Sequence, residues 1–255
     1  MSGAKGILLI GIGVVATISL VAIFGAHDYS AGAWSLKAQN ALVIGGYSDN
    51  FDYSGENVRP LIGTATVDVD STADWGTVVA HVRTTLESGP IRFAKEESIS
   101  GDVTIVMSDF REEDGSPYME GGIAEYLWLH GDTGQGASVM PQQFTFLAGW
   151  GSVDVYVNGK LRYPNLEGHF MYTEEARRGA EDGYRVMRDD GTVYSPNLTD
   201  KTGFTNPSGG ELHIVVHSPD ADPGNFPPQA QWLHLNFADV FIKRAPANLN
   251  VSISS

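Results

Sequence analysis

Apolar and polar residues follow two different patterns along this chain. The stretch Gly6–Ala26 contains no charged residue and is almost entirely apolar, whereas apolar and polar residues alternate from Leu61 onward. A helix that crosses a bilayer needs roughly 17–25 residues. Alternation with a period of two is typical of a strand with one buried face. The pattern therefore predicts one N-terminal transmembrane helix followed by an all-β domain.

The N-terminal apolar stretch is open to two interpretations. As an uncleaved anchor it would place residues 7–24 in the lipid bilayer, and the single charge of Lys5 would favour an N-in orientation. As a cleaved signal peptide it would need small residues just before the cut. Ala31-Gly32-Ala33 offers such a site, but it lies several residues beyond the apolar stretch. We favour the anchor, which puts the C-terminal part on the extracytoplasmic, or periplasmic, side of the cytoplasmic membrane.

Small residues give the apolar stretch a face for helix packing. Gly13 and Thr17 are four residues apart, which places them on the same side of a helix. Small residues at this spacing let two helices approach closely in lipid. We therefore predict that Gly13 and Thr17 contact another membrane helix.

Composition divides the chain into three parts. Residues 1–26 form the anchor or signal peptide, residues 27–60 are polar and rich in turn formers, and residues 61–255 carry the alternating pattern. The middle part is predicted to be a juxtamembrane spacer. The last part is long enough to bury a substantial core without disulfides, and it is predicted to be the extracytoplasmic domain.

Strand segments recur at short intervals in the predicted domain. Asn158-Gly159 favours the positive φ angles of a type I′ hairpin turn, and Asp189-Asp190-Gly191 marks a second hairpin. Many short strands with Gly- and Pro-rich turns are typical of a sandwich, a jelly roll or a barrel. We predict an antiparallel β-sandwich of jelly-roll-like form. The predicted strands include Thr64–Asp70, Thr77–Leu86, Val103–Met107, Ile123–His130, Val153–Val157, Lys160–Tyr163, Leu212–His217 and Trp232–Phe237.

Composition also excludes several classes of function. The chain has no cysteine, which excludes disulfides, iron–sulfur clusters and thiolate-ligated copper. Its formal net charge of −15 argues against nucleic-acid binding, which requires a basic surface. The sequence shows neither a nucleophile elbow nor a complete phosphate-binding loop. We therefore predict that the protein is not an enzyme and has no cofactor.

Histidines mark one face of the last two predicted strands. His213, His217 and His234 all lie on the face opposite to the apolar residues of their strand. His213 and His217 would be about 13 Å apart at about 3.3 Å per residue, so they cannot share a metal ion. Either of them could bind one transition metal ion together with His234, if the strand register brings them together.

A further pair of side chains extends this metal hypothesis. His169 and Met171 are two residues apart and share one face of a predicted strand. A histidine nitrogen and a thioether sulfur suit a soft transition metal. The alternative is that these histidines form hydrogen bonds with neighbouring strands and hold no metal.

Aromatic residues near strand ends favour contacts with another protein. Trp and Tyr are common anchors at interfaces. Trp232 begins the last predicted strand, and Phe226-Pro227-Pro228 forms a stiff apolar segment in the loop before it. We predict that Trp232, Phe226 and Pro227 contact a partner.

Taken together, these patterns favour a single-pass membrane protein that displays a β domain outside the cytoplasmic membrane. The predicted function is that of an accessory subunit that binds and stabilises a larger membrane complex, for which an electron-transfer complex is one host. Two alternatives stay open. The first is an exported His-ligated metal-binding protein, and the second is a β domain that binds a carbohydrate or another ligand.

Overall fold

The computed structural model describes residues 32–48, 51–110 and 122–245, and its regular structure is almost entirely β-strand. Within these ranges the helical segments are two 3-10 turns, Gly131–Thr133 and Ala180–Asp182. No helix there is long and apolar enough to cross a bilayer, and the predicted anchor with Gly13 and Thr17 lies outside the described residues. The strands are β1 (Ala33–Gly46), β2 (Arg59–Pro60), β3 (Ile62–Asp70), β4 (Trp75–Arg83), β5 (Ile91–Ala94), β6 (Glu97–Ile99), β7 (Asp102–Phe110), β8 (Ile123–Leu129), β9 (Gln143–Val157), β10 (Lys160–Glu175), β11 (Asn206–His217) and β12 (Trp232–Arg244).

Eight of these strands close into a single antiparallel barrel. The order around the wall is β1, β3, β4, β7, β9, β10, β11, β12 and back to β1. The wall is thus an up-and-down meander that its first and last strands close. The prediction of an all-β antiparallel domain is confirmed. The sheet does not split into the two layers of a sandwich, because the pairing of β12 with β1 removes the two edges that a sandwich would leave open.

Two short strands prolong the wall. Along one edge of β9, Phe110 at the end of β7 pairs with Gly151, and Ile123 at the start of β8 pairs with Gly149. β8 therefore continues the line of β7. β2 stands in the same relation to β3 along β1. The remaining strands, β5 and β6, form a separate hairpin.

The barrel interior is a packed apolar core. Along β3, β4 and β7, buried side chains alternate with more exposed ones, as the period-two pattern predicts. Val67, Ala80 and Met107 point into this core and are completely buried. An eight-stranded barrel is just wide enough for side chains to fill it. Side chains that could bind a ligand must therefore lie on the outer face or at the ends.

One end of the barrel is closed by the β5–β6 hairpin. Ile91, Phe93 and Ile99 of this hairpin are at most 4% exposed. The ring of Phe93 packs on Tyr163, with 4.8 Å between the ring centroids. The loop between β11 and β12 reaches the same place, because Gln231 forms a bridge with Ala94. We call this the hairpin end.

The opposite end carries a chain of aromatic rings, and we call it the aromatic end. Gly32, the first described residue, lies there, and its carbonyl accepts a hydrogen bond from the backbone N–H of Ser71 at 3.1 Å. Neighbouring rings of the chain have centroids 5.0–6.4 Å apart. The rings belong to Trp34, Tyr126, Trp128, Phe144, Phe146 and Tyr172.

The predicted spacer 27–60 requires correction in its described part. β1 is a full wall strand that pairs with β12 on one side and with β3 and β2 on the other, and Leu36 lies in the barrel core. Lys37 and Gln39 are exposed on its outer side, and the polar, turn-rich residues 48–60 that follow gave the whole segment the composition of a linker. Within the described residues, the domain therefore includes β1 from Ala33 and does not begin at the predicted boundary of Leu61.

The two predicted hairpins differ in outcome. Asn158 and Gly159 have φ angles of 51° and 74° and join β9 to β10, which confirms the first hairpin. At the second, Arg188 and Thr192 form a turn closed by a 2.9 Å backbone hydrogen bond. Its flanks form only isolated bridges, and Val186 and Tyr194 from these flanks pack in a small apolar cluster apart from the barrel core.

A second layer covers the outer face of the wall from β9 to β12. It consists of residues 51–58, 130–142 and 176–205, which we call the cover. The hydroxyls of Tyr53 and Tyr194 both donate to the carbonyl of Val139, at 3.3 and 2.8 Å, and so link its three segments. Its own small apolar core contains Ala176, Val186, Tyr194 and Phe204.

Candidate functional site

The predicted histidine face lies beneath the cover. His213 and His234 are 4% and 0% exposed on the outer side of the barrel wall. The register places Asn236 opposite His213 and Val215 opposite His234, so the two histidines are diagonal neighbours on β11 and β12. Nδ1 of His213 lies 2.8 Å from Nε2 of His234, which is a hydrogen-bond distance. The structure thus brings together the pair that the strand pattern predicted could meet.

Glu211 extends this pair into a chain of three hydrogen-bonded groups. Its Oε1 accepts a hydrogen bond from Nε2 of His213 at 2.8 Å, and its Oε2 accepts one from the backbone N–H of Arg177 at 3.2 Å. Burial would raise the pKa of Glu211, but the charge and hydrogen bond of His213, with help from Arg177, hold that pKa below its ordinary value. Glu211 is therefore a buried, ionised carboxylate at neutral pH.

Arg177 brings a buried positive charge from the cover to the wall. The residue is 6% exposed, and its Nη1 donates to the carbonyl of Tyr184 at 2.7 Å. Burial lowers the pKa of Arg177, and attraction to Glu211 and Asp52 opposes this effect. Because a buried charge is costly without a partner, the attraction between Arg177 and Glu211 reduces the cost of burying both, although the carboxylate of Glu211 has His213 as its main partner.

Two further histidines lie near this chain. Nδ1 of His130 accepts a hydrogen bond from the backbone N–H of Ala137 at 3.1 Å, and the ring of His169 stacks on Trp150. Burial, followed by the nearby charge of His213, lowers the pKa of His130 to about 4. Burial and the neighbouring histidines lower the pKa of His169 to about 3 and that of His234 well below its ordinary value. All three imidazoles are neutral at pH 7.

Several polar atoms of this layer are buried without a protein partner. Among the described residues, Nδ1 of His234, Nε2 of His130 and both amide atoms of Asn236 have no hydrogen-bond partner. A cavity of about 20 Å³ lies between His234 and the cover. The layer is thus polar on the wall side and is closed by aromatic and aliphatic side chains.

The other predicted metal ligands have different surroundings. His217 stacks on Trp232 and lies 3.7 Å from a carboxylate oxygen of Glu167. Met171 is opposite His213 in the register and packs in an apolar cluster with Leu129. In the ranges that the structure describes, no group of three or more His, Asp or Glu side chains is arranged to hold a metal ion. The metal hypothesis stays a prediction without a geometric site.

The predicted partner contacts divide by exposure. Phe226 is 60% exposed in the loop at the hairpin end, where Pro227 follows it. Trp232 is only 6% exposed and stacks on His217, so its side chain is not available to a partner. The positions of the two residues explain this difference. Trp232 points outward from β12 and lies beneath the cover, whereas Phe226 lies in the loop before this strand.

Three residues of the site were not among the predicted ligands. Glu211 shares the outward face of β11 with His213, two residues away, and this spacing is a usable signal. Arg177 and His130 belong to irregular segments of the cover, where no periodicity reports which side chains are buried. Their approach to β11 depends on long-range packing alone.

The uncovered outer face, on β3, β4 and β7, forms a shallow groove near the hairpin end. Its volume is about 500 Å³, and its side chains include Ile62, His81 and Thr104. A bidentate ion pair between Arg83 and Asp102, at 2.5 and 3.0 Å, borders it. The groove is open to solvent and differs in this respect from the covered histidine layer.

Comparison with known proteins assigns no family. No protein-family model, no curated protein and no solved structure matches this chain.

Proposed function

We propose that this protein is a membrane-anchored extracytoplasmic accessory subunit that binds and stabilises a larger membrane protein complex. In this proposal the apolar stretch Gly6–Ala26 forms a single transmembrane helix with its N-terminus inside. The barrel then stands outside the cytoplasmic membrane as a rigid interaction domain. An electron-transfer complex is one host for such a subunit.

The observation that carries this proposal is where the chain enters the barrel. The apolar stretch ends six residues before Gly32, and Gly32 lies at the aromatic end. Trp75, Trp128 and Phe241, on three different strands near this end, are 53%, 48% and 55% exposed. In membrane proteins, Trp side chains are enriched at the level of the lipid headgroups. The aromatic end therefore faces the bilayer in the proposed arrangement.

The hairpin end then faces away from the bilayer and offers a surface to a partner. Four apolar side chains at this end are strongly exposed: Ile62 at 66%, Leu86 at 105%, Leu161 at 48% and Phe226 at 60%. A contiguous exposed apolar patch is typical of a contact site, and in this proposal these four side chains supply it. The filled barrel core and the covered histidine layer support a role in binding instead of catalysis.

The first experiment tests the anchor and the partner together. Full-length protein is purified from its native membrane in mild detergent, and intact masses of all components are measured. The proposal expects an uncleaved N-terminus and stoichiometric partner subunits. Phe226→Ser should release the partners, whereas Phe241→Ser at the opposite end serves as the matched control and should retain them. A cleaved, monomeric protein without partners would overturn the proposal.

A second experiment tests the orientation of the barrel. Full-length protein is reconstituted into phosphatidylcholine vesicles with brominated acyl chains, which quench tryptophan fluorescence at short range. Replacing Trp75 and Trp128 by Phe should remove most of the quenching. Replacing Trp150 and Trp232 instead should leave it. Equal quenching in both variants would contradict an aromatic end at the membrane.

The groove on the uncovered face supports a second candidate function, the binding of a carbohydrate or a similar polar ligand. Its mixture of Ile62, His81 and the Arg83–Asp102 ion pair offers both an apolar surface and hydrogen-bonding groups. Glycan-array binding that is lost in Arg83→Ala would favour this function over the accessory subunit. An array without binding would remove it.

A further inference from the structure

The Glu211–His213–His234 chain ends at an atom that has no protein partner. Since the ionised carboxylate of Glu211 can only accept, Nε2 of His213 must donate to it. Nδ1 of His213 and Nε2 of His234 are 2.8 Å apart, so one of these two nitrogens carries the proton of the hydrogen bond between them. Whichever ring holds that proton, Nδ1 of His234 is the last atom of the chain. It has no partner among the described residues, and His234 is 0% exposed.

The space beside His234 matches the missing partner in size. The cavity between the wall and the cover has a volume of about 20 Å³. A cavity needs at least about 10–15 Å³ to hold one water molecule, and that water needs two to four polar partners. Tyr53, Gln143 and Arg177 line the same cavity and supply polar groups besides His234.

The rest of the lining is mostly apolar and limits the space beside His234. Phe51 packs edge-on against His234, with 4.7 Å between the ring centroids, and closes the space on the cover side. Ile44, Met140 and Pro141 complete an apolar boundary. A larger ligand would have to displace these side chains, whereas one water molecule occupies the existing volume.

We propose that this cavity is a binding site for a single water molecule held by Nδ1 of His234. The water completes a hydrogen-bonded chain that runs from Glu211 through His213 and His234, and it links the barrel wall to the polar groups of the cover. Because Glu211 orients His213, and His213 orients His234, the water meets an imidazole in a fixed position. This site is independent of the anchor and of any partner subunit.

The proposal is tested by NMR on the full-length protein in detergent, with histidine and phenylalanine labelled. Magnetisation transfer from water to the ring protons of His234 and Phe51 is measured. We expect cross-peaks of a slowly exchanging water in the native chain. Ala176→Val adds two methyl groups to the cavity lining and should abolish them, whereas Ala73→Val in an exposed turn should retain them.

The outcomes separate the water from other occupants. Absence of water cross-peaks at His234 in the native chain would overturn the proposal, whether or not the Ala176 variant folds. The same protein, purified without chelators, is analysed for metals. One equivalent of copper, zinc or manganese that is lost in His234→Gln would also overturn it, because the metal would then occupy the nitrogen assigned to water.

Discussion

Acidification should weaken this protein through histidines that are buried in the neutral form, and His130 gives the sharpest test. The residue is 8% exposed, and its pKa in the folded chain is about 4 instead of 6.5. Below pH 6.5 the unfolded chain takes up a proton at this position and the folded chain does not. The stabilisation is therefore complete above pH 6.5 and is lost as the pH falls toward 4.

The size of the effect follows from this pKa difference. A change from 6.5 to about 4 corresponds to about 3 kcal/mol in the free energy of unfolding, at about 1.4 kcal/mol per pKa unit. His130→Asn removes the titrating group, keeps an acceptor for the N–H of Ala137, and tolerates the φ angle of 67° at this position. Between pH 6.5 and pH 4, the free energy of unfolding of the variant should fall by about 3 kcal/mol less than that of the native chain.

The assay is urea unfolding of the full-length protein in mild detergent at several pH values, followed by tryptophan fluorescence. His81→Asn is the matched control, because His81 lies exposed on the uncovered face and contacts Thr104 at 3.0 Å. Only the His130 variant should show a smaller dependence of the free energy of unfolding on pH than the native chain. If His130→Asn keeps the same slope as the native chain, the assignment of a buried neutral imidazole is refuted.

Three further substitutions test other parts of the structure. A Cβ atom at Gly149 would lie 2.5 Å from the ring of Phe170 in the barrel core, so Gly149→Ala should lower the free energy of unfolding by about 1–3 kcal/mol in thermal denaturation. The buried hydroxyl of Thr145 has no partner among the described residues, so Thr145→Val should raise stability by about 1 kcal/mol; a loss would indicate a hidden partner. Arg177→Met removes the hydrogen bond from Nη1 to the carbonyl of Tyr184 and a positive charge near Glu211, which keeps His213 as its partner; it should cost about 1–3 kcal/mol in urea unfolding, whereas a neutral result would show that the Arg177 charge does not stabilise this site.

The sequence was informative wherever a strand has one apolar face. Alternation placed His213 and His234 on the outer side of their strands, with Ile214 and Leu235 inside, and the barrel shows this arrangement. The Asn-Gly dipeptide likewise located the turn at Asn158-Gly159, because it favours the two positive φ angles that this turn has. These features depend on local chemistry, which a single sequence displays directly.

Features that depend on distant pairing were not predictable in the same way. Closure of the barrel rests on pairs such as Leu36 with Ile242, which no local pattern reports. A sandwich and a barrel share the same period of two, so alternation alone does not separate them. The burial of Arg177 depends on how an irregular segment folds back on β11. The periodicity of the sequence therefore could not predict the ionic part of the site.

The seam between β1 and β12 also determines when this domain can fold. Ser35 pairs with Arg244, so the wall cannot close until almost the whole described chain has been synthesised. Pairings between such distant residues form slowly, because a long loop must close before they contribute. If the chain is anchored, one edge of β1 would stay unpaired near the membrane until β12 pairs with it. Export of such a chain would favour a chaperone that shields this edge during translocation.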